Sequence, residues 1–449
     1  MIARMENKPA EVPNKAKQAG EAGSAGKWSW VEPSVWTERM LEALERGVKG
    51  GVWFSLIDKV CRLETLYAGW SDVKANEGSA GSDHQSIRAF EANLGENIGK
   101  LQDELRTGTY SPRPVRRVYI DKPGSKDKRP LGIPAVRDRV VQAALRLVIE
   151  PIFEREFSPA SFGFRPGVGC KDALREVDRL LKSGYLHVVD ADIRAYFDSI
   201  PHDLLMREIR ARIADGRVLE LLEAFLKVDI LDGMKLWTPE GGTPQGAVIS
   251  PLLANLYLHS VDVAMAEAGY KMVRYADDFV VLCQTHEEAL GALNQVSRLI
   301  EDKGLRLHPD KTKIVDLSQR GGAFDFLGYR FYRRTRYPRR KSISKLRDAI
   351  RCKTGRSNGH SLEEIVVDVN RTLKGWFEYF KHASKRTFRP IDGWVRQRLR
   401  SILRKRCRRK RGGISRGFDH IRWPNGYFHV RGLFCLEMAH RKCLQSLKR

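Results

Sequence analysis

The 449-residue chain has no apolar run near the roughly 20 residues that a bilayer-spanning helix needs, so no membrane partner is expected. Its first stretch, Met1 to Lys27, is polar and rich in Ala, Gly and Lys. The apolar segment of a secretory signal is missing there, so export is not expected. Cysteine is sparse: seven residues, at 61, 170, 283, 352, 407, 435 and 443, with no C-x-x-C pair. That spacing argues against a zinc finger or a disulfide framework and suits a cytoplasmic, reducing location. Acidic residues are scarce only near the end, where residues 331–449 hold 34 Lys and Arg against 8 Asp and Glu.

The formal charge of the chain is +25. Residues 331–449 carry +26 and the first 330 residues −1. A near-neutral body with a strongly basic final third is the footprint of a nucleic-acid partner. An anionic membrane would attract the same charge, but the basic region also has the pattern of a folded core. With 42% apolar residues and about three typical domain lengths, two or three domains are expected.

Residues 1–30 read as a flexible tail. From Ser34 to Tyr67, Met40, Leu41, Leu44, Val52, Leu56, Val60 and Leu63 fall at helical spacing. Asn76 to Asp83 is a Gly/Ser loop. A helix is expected through Phe90, Leu94, Ile98, Leu101 and Leu105, then a strand over 115–120 and a turn over 122–129. Residues 137–156 read as helix. Strands are expected at 186–193, 271–276 and 279–284, with helices at 201–213, 217–228, 251–268 and 286–303. Strands and helices alternate irregularly, which favours an α+β architecture over a doubly wound sheet. The last third reads as helical. Ser361 and Glu364 form a capping box, followed by Ile365, Val366, Val369, Leu373, Trp376, Phe377 and Phe380 on one face. A second helix through Ile391, Trp394, Leu399 and Leu403 leads into the basic run Arg404–Arg411.

The sharpest local feature is Lys271-Met-Val-Arg-Tyr-Ala-Asp-Asp-Phe-Val-Val-Leu282. Asp is a poor strand residue, so Asp277 and Asp278 are expected at a tight hairpin turn. Two carboxylates about 4 Å apart repel by about 4 kcal/mol at an effective dielectric near 20. A divalent cation removes that cost, and Mg²⁺ prefers carboxylate and phosphate oxygens. In Leu186-His-Val-Val-Asp-Ala-Asp-Ile193, alternation puts Asp190 and Asp192 on the same face. Either could complete the site, and spacing alone does not choose. Two Mg²⁺ ions about 3.5–4 Å apart would clamp the attacking and leaving oxygens of a phosphoryl transfer.

These residues resemble a family. Tyr275-Ala-Asp-Asp278 is similar to the signature of reverse transcriptases, and Asp192-Ile-Arg-Ala-Tyr-Phe-Asp198 to the block bearing their first catalytic aspartate. Gly242-Thr-Pro-Gln-Gly-Ala-Val-Ile-Ser-Pro251 resembles the Pro-Gln-Gly block. Arg129-Pro-Leu-Gly-Ile-Pro134 and Ser161-Phe-Gly-Phe-Arg-Pro166 resemble earlier blocks; Gly304-Leu-Arg-Leu with Lys311-Thr-Lys313, and Phe326-Leu-Gly-Tyr329, resemble later ones. Asn370 to Phe380, Asp392-Gly-Trp394 and Arg422-Trp-Pro-Asn-Gly-Tyr-Phe428 resemble the maturase, or thumb, domain of group II intron-encoded proteins. Many such proteins continue into a Cys/His-rich HNH endonuclease. Cys435 and Cys443 lack paired partners, so a protein that does not cut its own second-strand primer is expected.

The resemblance implies a right-hand polymerase, with fingers and palm over 31–335 and a basic, all-α thumb or maturase domain over 336–449. It places two Mg²⁺ ions on Asp192, Asp277 and Asp278, with the carbonyl of Ile193 as a further ligand. Phe197 would lie under the incoming sugar and exclude a 2′-hydroxyl. Gln245 would touch the incoming nucleotide, and Lys122 and Arg129 its triphosphate; Arg165 is a weaker candidate for that role. Phe326 to Tyr329 would hold the primer end or simply pack. The implied activity is RNA-directed DNA synthesis from dNTPs on a DNA primer, combined with splicing assistance to the intron RNA. The alternatives are a splicing cofactor without polymerase activity and a reverse transcriptase recruited to host defence.

Overall fold

The computed structural model describes residues 28–48, 51–121, 128–357, 359–408 and 418–446. The chain divides into two compact units, Met1–Ile314 and Val315–Arg449. Among the described residues no helix is long and apolar enough to cross a membrane.

The first unit is built on two four-stranded sheets with helices around them. Its strands are β1 (Val115–Asp121), β2 (Lys128–Ile133), β3 (His187–Asp192), β4 (Ile230–Asp232), β5 (Lys235–Trp237), β6 (Lys271–Tyr275), β7 (Asp278–Cys283) and β8 (Lys313–Asp316). The division between units falls inside β8. One sheet runs β2-β1-β4-β5 and the other β6-β7-β3-β8. β3 and β7 pair antiparallel, with Val189 opposite Val281 and Ala191 opposite Phe279. The pair is buried on both faces, with Val188, Val189, Val280 and Val281 all inaccessible, and a one-residue slip would exchange the two faces and carry Asp190 and Asp192 with them. The helix Val136–Glu154 is buried along most of its length and presents Ala143 and Ala144 to its neighbours.

Several expectations meet corrections. Trp28 and Trp30, assigned to the tail, are folded: Trp28 is buried and its Nε1 donates to Glu45 at 3.1 Å. Residues 1–27 of that tail lie outside the described residues. The helical pattern of Ser34 to Tyr67 splits into Glu38–Arg46, one turn at Ile57–Val60, and the start of Leu63–Asn76. Gly47 and Gly51, both at positive φ, stand between the first two. The helix through Phe90 and Leu105 is two helices, Ile87–Ala92 and Leu94–Thr107, parted at Asn93 (φ −122°, ψ 43°). The three-residue strands β4 and β5 are too short to leave a periodic trace. The expected turn over 122–129 lies outside the described residues at 122–127.

The second unit opens on an antiparallel meander, β9 (Ala323–Phe326), β10 (Tyr329–Tyr332) and β11 (Thr335–Pro338). The block Phe326 to Tyr329 is therefore a turn between strands. Phe326 and Tyr329 are buried, so they pack as core. Helices follow, chiefly Arg340–Lys353, Leu362–Phe380, Phe388–Arg408 and Leu436–Ser446. The capping box is present: Glu364 N–H donates to Ser361 Oγ at 3.1 Å, and Ser361 N–H to Glu364 Oε2 at 2.7 Å. Trp376 packs on Phe380 at 4.7 Å, and Trp394 lies under the guanidinium groups of Arg347 and Arg351. Of the basic run Arg404–Arg411, the part after Arg408 lies outside the described residues.

Candidate active site

The two acidic motifs meet where β3 and β7 pair. Asp192 is the last residue of β3, Asp278 the first of β7, and they are register partners. β6 and β7 form a hairpin closed by Ala276 and Asp277, with Tyr275 opposite Asp278. Ala276 takes the left-handed backbone, φ 58°, that such a two-residue turn requires. Asp277 thus occupies the turn as expected, whereas Asp278 is already a strand residue. Asp190 sits two residues back, opposite Val280, with Lys313 Nζ 3.6 Å from its Oδ2. Ile193 bridges to Leu307. The flanking bonds use the N–H of Arg194 and the C=O of Asp192, so the Ile193 carbonyl lies outside that ladder.

Electrostatics at this corner follow from crowding. Burial pushes the Asp277 carboxyl above its ordinary value, and the negative charge of Asp192 pushes the same way. A backbone hydrogen bond, Arg129 and Lys311 pull it back. Lys311 Nζ lies 2.6 Å from Asp192 Oδ2, so a cation already rests on one of the three acids. The Lys311-Thr-Lys313 motif carries a resemblance in sequence alone; its place beside Asp192 depends on the chain returning to Ile193 at Leu307. Among the described residues no three His, Cys, Asp or Glu side chains converge as a ready-made ion site. The donors themselves, three carboxylates and a carbonyl, are the hard oxygen ligands that suit Mg²⁺. An ion bound there would compete with Lys311 for Asp192.

Beneath the turn lies a buried polar network that no motif announces. Arg274, next to last in β6, is 1% exposed. Its Nε donates to Asp262 Oδ1 at 2.7 Å, and a second nitrogen pairs with Asp262 Oδ2. A third nitrogen donates at 3.0 Å to both Asn255 Oδ1 and the Ala276 carbonyl. Asn255 Nδ2 in turn donates to the Gly163 carbonyl at 2.6 Å. A Cβ on Gly163 would stand 2.4 Å from the Ala276 nitrogen, so only glycine lets this loop approach the turn. The one sequence signal was a charged residue inside an apolar strand run.

Arg165 belongs to the same scaffold, which corrects its expected contact with a triphosphate. Its Nε and a terminal nitrogen donate to Glu154 at 2.7–3.1 Å, and the other terminal nitrogen to the carbonyls of Ser158 and Ser161 at 2.6 Å. With its guanidinium so occupied, it shapes the loop that meets the turn.

Three of the four expected nucleotide contacts gather in one place. Arg129 Nε donates to Gln245 Oε1 at 2.7 Å, and Gln245 Nε2 lies 3.4 Å from Asp198 Oδ2. Phe197, buried beside Asp198, accepts from Thr243 N–H through its carbonyl at 2.6 Å. Gly132 N–H donates to the Gln245 carbonyl at 2.6 Å, tying β2 to the Pro-Gln-Gly loop. A cavity of ≈ 90 Å³ opens between Phe197, Asp198, Gly242, Gln245 and Arg117. Desolvation raises the Asp198 carboxyl, opposed by Arg117 and Arg129. Lys122 lies outside the described residues.

Comparison with known proteins gives the family. The family "Reverse transcriptase (RNA-dependent DNA polymerase)" matches residues 120–331, and "Group II intron, maturase-specific domain" matches residues 343–418. Protein YkfC of Escherichia coli K12 is 35% identical over 306 residues, covering 59% of this chain and 79% of its own. The group II intron-encoded protein LtrA of Lactococcus lactis is 36% identical over 225 residues, covering 50% of this chain and 37% of its own. A chain of a partial Cas6-RT-Cas1–Cas2 complex overlays 55% of this chain at 25% identity with a TM-score of 0.36, too low to bear on function.

Proposed function

The chain belongs to the reverse transcriptase–maturases encoded by group II introns, and from that premise we propose that Asp192, Asp277 and Asp278 direct DNA synthesis on an RNA template. The observation that carries the reading is the register pair Asp192–Asp278 with Asp277 in the adjoining turn. These acids, with the Ile193 carbonyl, would hold two Mg²⁺ ions. Bound there, the ions supply activation of a primer 3′-hydroxyl and neutralise charge on the leaving pyrophosphate. The chain's own residues position the reactants, which is most of what phosphoryl transfer requires. Arg129 offers a planar fork to phosphate oxygens and Lys122 a point charge. The Gln245 amide, steadied by Arg129, orients the incoming dNTP. Phe197 fills the space that a 2′-hydroxyl would need. The basic final third holds intron RNA through phosphate contacts, which makes that affinity fall steeply with salt. Sparse cysteines without a C-x-x-C spacing fit action in the cytoplasm.

The test is primer extension with purified protein, an RNA template, an annealed DNA primer, dNTPs and Mg²⁺. Wild type is expected to extend, and the Asp277→Ala/Asp278→Ala double variant to show none while still binding RNA. Extension by that variant would falsify the reading. A folded wild type that binds intron RNA and never extends would leave a splicing cofactor in its place.

A further inference from the structure

Phe164 is the one Phe, Tyr or Trp with a left-handed backbone among the described residues, at φ 56°. A bulky residue is disfavoured there, and glycine would sit at no steric cost. The residue is nevertheless 40% exposed, so burial does not account for it. The backbone on either side is over-determined: Gly163 is wedged under Ala276, and Arg165 is locked on Glu154, Ser158 and Ser161. Strain of this kind, imposed by a rigid surround on an exposed side chain, points to use of that side chain. The Phe164 ring lies 6.0 Å from the Tyr275 ring, tilted by 46°. Tyr275 immediately precedes the turn that carries Asp277.

We propose that Phe164 and Tyr275 form a contact shelf for the template–primer duplex, with Phe164 packed against a base or sugar beside the reacting end. The inference rests on the polymerase reading for the nature of its ligand. It concerns the duplex rather than the incoming nucleotide, because Arg129, Gln245, Asp198 and Phe197 form a cluster of their own in which neither ring takes part. Aromatic contacts to nucleobases are tolerant of sequence, as copying requires.

The experiment uses the full chain and a fluorescent DNA primer annealed to an RNA template. Equilibrium binding, primer extension and thermal melting are measured for wild type, Phe164→Gly and Phe164→Tyr. Phe164→Gly relieves the backbone, so it is expected to melt no lower than wild type. Its duplex affinity is expected to fall about tenfold, with KM for the duplex rising equally. The KM for dNTP is expected to move less than about twofold, and Phe164→Tyr to restore duplex affinity to within about twofold. The proposal is overturned if Phe164→Gly binds the duplex as wild type does, if only the dNTP KM moves, or if the tyrosine variant is as weak as the glycine variant. Failure of the polymerase reading is separable: a wild type that binds the duplex without extending it would sink that reading, while the affinity of Phe164→Gly would still decide the shelf.

Discussion

Two aspartates lie buried under the two halves of the site, and they are satisfied differently. Asp262, under the hairpin turn, accepts two hydrogen bonds from one edge of the Arg274 guanidinium. Asp138, under the entry to β1, takes the Tyr110 hydroxyl at 2.6 Å and the Arg113 N–H at 2.9 Å. The nearest guanidinium to it, Arg137, stands 3.6 Å away. Burial alone would pull Arg274 down, but Asp262 pushes it up overall, so that anchor stays an ion pair across the working pH range. Burial raises the Asp138 carboxyl to about 6, because its neutral donors only partly offset desolvation. The acid-bearing turn is therefore held by a fixed charge pair, and the entry to β1 by a group that titrates.

The largest expected effect comes from breaking the first anchor. Arg274→Ala leaves Asp262 buried and unpaired, and a loss of about 3–5 kcal/mol in denaturant melts is expected. The sharper variant is Arg274→Met with Asp262→Leu, since an apolar pair of similar volume is often neutral for stability. That double variant should fold, yet Ala276 and Asn255 lose their donor. Primer extension is then expected to fall on the order of a hundredfold, the usual consequence of a slightly misplaced catalytic group. Wild-type kcat in a folded double variant would show that the pair serves the fold alone.

The second anchor is tested with pH. The folded pKa of Asp138, about 6, lies above its ordinary 3.8. The folded state therefore binds this proton more tightly than the unfolded chain. The stability it contributes is complete below about pH 4 and is lost as pH rises through 6, in total about 3 kcal/mol. Asp138→Asn removes this ionisation. The difference between wild-type and variant unfolding free energies, followed from pH 4 to 7, should change in that direction. A flat difference would place the titration elsewhere.

The acids were legible before the fold because carboxylates inside apolar strands have few structural uses, and because Asp277, Asp278 and Asp192 stand in motifs. Spacing did not choose between Asp190 and Asp192; the resemblance chose Asp192, and the register of β3 against β7 sets that residue opposite Asp278. Arg274 shows the converse. A single arginine in a strand carries no periodic signal, and its partners Asp262 and Asn255 come from the helix Ser250–Glu267. Arg165 looked like a phosphate ligand by its motif, but the count of donors it spends on Glu154, Ser158 and Ser161 is a tertiary fact. Phe164 was visible only as a letter in a motif, since backbone strain has no sequence signature.

The smallest expected effect lies where the comparison has no buried anchor at all. Arg129 is exposed and Gln245 half-buried, and one hydrogen bond at 2.7 Å joins them. Neither supports the core, so Arg129→Ala and Gln245→Ala should leave the melting temperature unchanged. Each should raise the KM for dNTP, by about 1.5–3 kcal/mol for the charged donor and about 0.5–1.5 kcal/mol for the neutral amide. If Arg129 acts partly by fixing the amide of Gln245, the double variant should cost less than the two singles added, by about 0.5 kcal/mol or more. Strict additivity would mean that the bond between them forms only without nucleotide, and that the ligand alone sets the geometry of this half of the site. The contrast with the turn, whose geometry is built in before any ligand arrives, would then be complete.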